Sequence, residues 1–135
     1  MKGQLTRGAA AIVGVAESDL GEVGAGMSVV DLMGQGVAGA LEDCGLALSD
    51  VDGVFAAAGQ SRMPSLALCE YLGIRPRYHD STMQGGSSFM THVAHAQGAI
   101  EAGLCEVAVI AYGSTQRSTG WKGVSYGLNS RGSGL

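Results

Sequence analysis

Four short strand-like runs, three apolar and one with polar residues mixed in, are set apart by stretches with helical spacing, and that alternation limits the chain to few folds. The runs are residues 10–15 (AAIVGV), 53–57 (GVFAA), 78–83 (YHDSTM) and 107–111 (VAVIA). Three of them lack the polar alternation of a strand with one wet face, so they read as strands covered on both sides. Between the first two, Ser28 and Asp31 fit a capping box. Val30, Met33, Val37, Leu41 and Cys44 then recur at helical spacing, which predicts a helix over 29–44 ended by Gly45. Pro64 opens a second helix, to Leu72 and Gly73, and Phe89, Val93, Ala96 and Ile100 mark a third, over 88–103. Strands alternating with helices predict right-handed crossovers, so the expected fold is α/β: a mainly parallel sheet with helices on both faces.

Composition narrows the functional classes. The chain has 135 residues, enough for one domain with a real core, and only 15% of them are charged. Net charge is −4, and the eight Lys and Arg residues form no run or stripe, so no nucleic-acid partner is expected. No apolar run is long enough for a membrane span. The three cysteines, Cys44, Cys69 and Cys105, are odd in number and far apart, which fits reduced thiols in a cytoplasmic setting. From Gly113 onward sustained periodicity stops. Residues 1–112 are therefore read as the α/β domain and 113–135 as loop or disordered tail.

The candidate site is the turn Gly85-Gly86-Ser87-Ser88, between the third strand and the third helix. Backbone N–H groups at a helix start stabilise an oxyanion or a phosphate, through unpaired donors and the helix dipole. The same four residues also make an ordinary tight turn in which Ser87 or Ser88 caps the helix, and spacing alone leaves both readings open. The motif is neither G-x-S-x-G, since residue 89 is Phe, nor a phosphate loop, since no G-K-[ST] follows. If the turn is tight, Gly86 needs positive φ or close backbone approach and should refuse a large side chain. His92 and His95 stand three apart on one helix without an evident third ligand, so packed, hydrogen-bonded histidines are expected and no metal. The cysteines read as core or half-buried residues.

Six segments in order, AAIVGVAESDLG, DLMGQGVAGALEDCGL, SDVDGVFAA, LCEYLGIRPRYHDSTMQGGSSF, HVAHAQGAIEAG and CEVAVIAYGSTQRS, resemble the N-terminal part of thiolase-superfamily proteins. The similarity is greatest to the lipid-transfer or sterol-carrier-protein thiolase-like branch, whose members are described as acetyl-CoA acetyltransferases, and it covers roughly residues 9–118. The resemblance implies a fold of two similar α/β halves in five layers, of which this chain would supply most of the first. It implies a dimer, with the third strand pairing across the axis. It also implies an acyl-CoA substrate and no separate cofactor, with Gly85, Gly86, Ser87 and Ser88 at the substrate.

In true thiolases a nucleophilic cysteine begins the helix that corresponds to 88–103, and Gly86 stands in its place here. No catalytic residue is thereby assigned, and the chain alone should be inactive. The departure fits members that look like aldolases, which cleave a β-hydroxyacyl-CoA side chain without an acyl-enzyme and associate with a small OB-fold partner. The implied function is C–C bond formation or cleavage of Claisen or retro-aldol type. The alternative is a non-catalytic, partner-binding subunit, and in either case a homo-oligomer or a homologous or OB-fold partner is expected.

Overall fold

The computed structural model describes residues 6–119. Its first helix, α1 (Val29–Cys44), starts where the capping box places it. Ser28 Oγ accepts from the Asp31 N–H at 3.2 Å, and the Ser28 N–H donates to Asp31 Oδ2 at 2.8 Å. Gly45 ends the helix with φ 70°, a left-handed residue whose N–H closes the last turn. A 3-10 turn, Leu48–Asp50, leads into β1 (Gly53–Ala57), which is buried along its whole length. Pro64 opens α2 (Pro64–Leu72), and Gly73 closes it at φ 69°. There follow β2 (Tyr78–Asp80), α3 (Ser88–Glu101), β3 (Ala108–Tyr112) and a short α4 (Gln116–Thr119).

The three strands form a parallel sheet in the order β2-β1-β3, with Gly53 level with Tyr78 on one side and Ala108 on the other. Alternate side chains of β1 feed opposite layers. Val54 and Ala56 join Met33, Val37, Leu41, Leu68 and Val109 under α1 and α2, while Phe55 packs with Ala96, Ala99 and Cys105 under α3. The expected parallel sheet covered on both faces is therefore present. Full burial of Phe55 alone contributes roughly 1.5–3 kcal/mol.

Residues 10–15 depart from expectation. They form no strand, and Ile12, Val13 and Val15 are 72%, 63% and 70% exposed. The reason lies in where their neighbourhood makes its hydrogen bonds: Val15 N–H donates to Asp43 Oδ2 (3.0 Å) and Asp19 N–H to Gln35 Oε1 (3.0 Å), both side chains of α1. Glycines allow this close course, since a Cβ on Gly14 would stand 2.1 Å from the Ala40 carbonyl oxygen, and one on Gly39 would stand 2.8 Å from Ala16 Cβ.

Two other elements differ more mildly. The third strand stops at Asp80 rather than Met83, because the Asp80 carboxylate turns the chain by accepting from the Thr82 N–H and hydroxyl, each at 2.7 Å. The buried stripe of α3 is Ser88, His92, Ala96 and Ala99, with Phe89 and Val93 beside it and part-exposed. Ser88, Ala96 and Ala99 let the helix approach the sheet and His92 fills the space beside Phe55, so the stripe runs one residue round from the most apolar line. Of the expected tail, 113–119 contains α4, and 120–135 lies outside the described residues.

Candidate functional site

The turn Gly85-Gly86-Ser87-Ser88 lies beyond the carboxyl end of β2, where ligands of parallel α/β sheets usually bind. The chain reverses at Gly85, which has φ 79° and so uses a conformation closed to most side chains. Ser88 braces the turn from inside: fully buried, its hydroxyl accepts from the Gln84 N–H (2.8 Å) and donates to the Gly85 carbonyl (2.7 Å). Thr91 Oγ1 ties Gln84 Oε1 to the next helical turn at 2.6 Å.

Two details of the sequence reading change. Ser87 holds the N-cap position but makes no side-chain cap bond, and the other candidate, Ser88, is the first residue of the helix. The left-handed residue is Gly85 and not Gly86, and a Cβ on Gly86 would meet no atom within 4 Å. Gly86 is thus an open position just before the start of a helix. In the first turn of this helix the Ser88 and Met90 N–H groups already donate to the Gly85 and Ser87 carbonyls, at 3.1 and 3.0 Å.

On the α3 side of β2, Asp80 Oδ2 meets His95 Nδ1 at 2.6 Å. Burial by itself would raise the Asp80 carboxyl, but hydrogen bonds from Thr82 and His95 outweigh it and hold the group below the ordinary carboxylate range. His92 lies behind this pair, its ring 6.2 Å from that of His95 and 6.0 Å from Phe55, fully buried with both ring nitrogens unpartnered. Its burial pushes the imidazole below its usual value, against the pull of Asp80. The expected hydrogen-bonded histidines are therefore found for His95 and not for His92. Tyr78, Asp80, Thr82, His95 and Leu104 line an open groove of about 520 Å³.

Across the sheet, Ser65 Oγ lies 3.0 Å from His79 Nδ1 and 2.6 Å from Ser81 Oγ, while the Ser65 N–H donates to Ser81 Oγ at 3.0 Å. Neither polar cluster was identified from the sequence. The signal was the period-two placing of Tyr78 and Asp80 against His79 and Ser81, each pair facing one layer. Among the described residues no group of three or more His, Cys, Asp or Glu could hold a metal ion. Burial raises the Cys69 and Cys105 thiols, which removes both as ready nucleophiles. No helix among the described residues is long and apolar enough to cross a membrane.

No family model matches the chain, and no curated protein matches it. Solved structures do. An Ltp2-ChsH2(DUF35) aldolase is similar with a TM-score of 0.67 and 27% identity, over 80% of this chain and 28% of that one. A monomeric SCP2-thiolase like protein type 1 from Mycobacterium smegmatis gives 0.55 and 29%, over 73% and 22%. The 3-oxoacyl-[acyl-carrier-protein] synthase III from Aquifex aeolicus VF5 gives 0.60 at 18% identity, a likeness of fold alone, over 67% and 31%. The chain thus spans between 22% and 31% of the length of these three structures.

Proposed function

Because the described residues form part of a thiolase fold, we propose that this chain is the N-terminal portion of a protein acting on CoA thioesters by Claisen or retro-aldol chemistry, with the turn Gly85-Gly86-Ser87-Ser88 at the thioester. The observation that carries this reading is the open slot at Gly86, at the start of a 14-residue helix and beside a left-handed Gly85. Its consequence is a site that polarises a carbonyl without attacking it. In a retro-aldol cleavage a base takes the β-hydroxyl proton, the Cα–Cβ bond breaks, and its electron pair passes to the thioester oxygen. The N-terminal end of α3, through its dipole and the Ser87 and Phe89 N–H groups, would stabilise that oxyanion. The base lies outside these four residues, and no acyl-enzyme forms. The aldolase named among the similar structures supports this branch, and a complex such as its title joins is proposed here only by analogy.

The test is amide chemical-shift mapping of the full chain with acetyl-CoA and a longer acyl-CoA. Shifts confined to Gly85–Ser88 and the first turn of α3, saturating on the order of 1 mM, support the reading. Shifts elsewhere, or none at several times that concentration, overturn it. A second reading, a partner-binding subunit without catalysis, is favoured by the exposed Ile12, Val13 and Val15 beside a sheet whose outer strands each pair on one side only. Thioester binding without any C–C chemistry once a partner is supplied would favour that second reading.

A further inference from the structure

His92 is the one described side chain whose buried polar atoms all lack hydrogen-bond partners. It sits in the layer between the sheet and α3, and it backs onto the residues that lead into the turn. We propose that Asp80, His95 and His92 form an acid-release latch: at neutral pH they hold β2 and residues 80–84 on α3, and a proton on His92 lets that segment lift.

The geometry supplies both halves of the device. Asp80 is the hasp, because one carboxylate takes His95 Nδ1 on one oxygen and the Thr82 N–H and hydroxyl on the other. This joins α3, the end of β2 and the approach to Gln84 at a single group. His92 is the trigger, because its ring is fully buried against Phe55 with neither nitrogen hydrogen-bonded, so a charge there is disfavoured by burial. The groups that face it are few. Asp80 on β2 and the Thr82 backbone favour a proton, and His95 on its own helix opposes one. Tyr78 and Cys105 pack with Phe55 in the same layer, and burial raises the Cys105 thiol.

The sign follows from the direction of the shift. A histidine held neutral by burial gives its full stabilisation above the unfolded value of about 6.5, and loses it as pH falls below that value. Asp80 acts in the same direction, but only as pH falls below the unfolded carboxylate value of about 3.9, outside the range of a histidine.

Hydrogen exchange at the Thr82 and Gln84 amides of the full chain, expressed as protection factors, reads the latch. Protection should fall by up to about tenfold per pH unit below about pH 6.5 in wild type, and should stay level from pH 7 to 5 in His92→Leu. His95→Gln should lower protection at every pH yet keep the acid step. Level protection in wild type, or the same acid step in His92→Leu, overturns the proposal. If His92→Leu does not fold, the His92 ring is titrated in wild type by NMR. Titration together with loss of the two amides, below the range of a free histidine, supports the latch. Ordinary titration with both amides intact overturns it.

Discussion

The ring of Tyr71 on α2 lies over Gly34 of α1 so closely that a Cβ at Gly34 would stand 2.4 Å from Tyr71 Cε1. Two helices meet here because one of them lacks a side chain. Gly36, two residues on and turned toward the other side of the helix, has no atom within 4 Å of its missing Cβ. Gly34→Ala should therefore lower stability by about 1 kcal/mol, overpacking outweighing the gain in helix propensity, whereas Gly36→Ala should raise it by up to about 1 kcal/mol. Thermal melts of the two variants check this. Asp31 raises the Tyr71 hydroxyl by its acceptor oxygen and its charge, so the phenol titration of Gly34→Ala should move down toward the free value.

The two glycines of the candidate turn should behave differently. Gly85→Ala places a Cβ on a left-handed residue and should cost about 1–2 kcal/mol. Gly86→Ala should be close to neutral. Gly86→Cys should fold and carry a thiol in open space at a helix start, where the dipole favours the thiolate. Iodoacetamide labelling against pH should show this thiol reacting at lower pH than a free cysteine. Equal stability of the Gly85 and Gly86 alanine variants would contradict the assigned turn.

Asp52 stands at the entry to all three strands. Its Oδ1 accepts from the Glu106 and Val107 N–H groups at 2.8 and 2.9 Å, Arg77 lies 3.4 Å from Oδ2, and its carbonyl accepts from the N–H groups of Arg77 and Tyr78. Burial would raise this carboxyl, but the two N–H donors and Arg77 hold it below the ordinary range. A depressed carboxyl contributes fully above its unfolded value of about 3.9, and the contribution is lost as pH falls through the folded value. Asp52→Ala should cost about 2–3 kcal/mol in urea melts at pH 7, and Asp52→Asn, which keeps both N–H acceptors, about 1 kcal/mol. Both should weaken the decline in stability below pH 4.

The close course of residues 14–19 along α1 rests on glycine as well as on Asp43 and Gln35. Gly14→Ala drives a methyl into the Ala40 carbonyl and should free the segment. The Val15 and Asp19 amides should then lose exchange protection while those of β1 and β3 keep theirs. Loss of protection across the sheet would instead make this segment part of the cooperative core.

Much of this fold was legible in local signals. Ser28 with Asp31, Gly45, Pro64 and Gly73 set the ends of α1 and α2 because each acts on its own helix terminus. Residues 10–15 were misread for the converse reason: an apolar run shows that a segment is suited to a ladder, and the ladder itself belongs to another strand. Gly85 and Gly86 are identical as letters, and only the backbone path separates the strained one from the open one. Asp80 and His95 are fifteen residues apart on different elements, and their contact depends on how α3 crosses the sheet.

The strand order carries a consequence for synthesis. β1, the earliest of the three described strands, is the central one, and both neighbours come from later in the chain. Parallel partners cannot be reached through a tight turn, so each must wait for a helix to be completed between them. On a ribosome adding about 5–20 residues per second, Val54, Phe55 and Ala56 stay uncovered on the β3 side for several seconds before Ala108–Tyr112 is made. The most deeply buried strand of the finished molecule is thus the one that a nascent-chain chaperone has longest to hold.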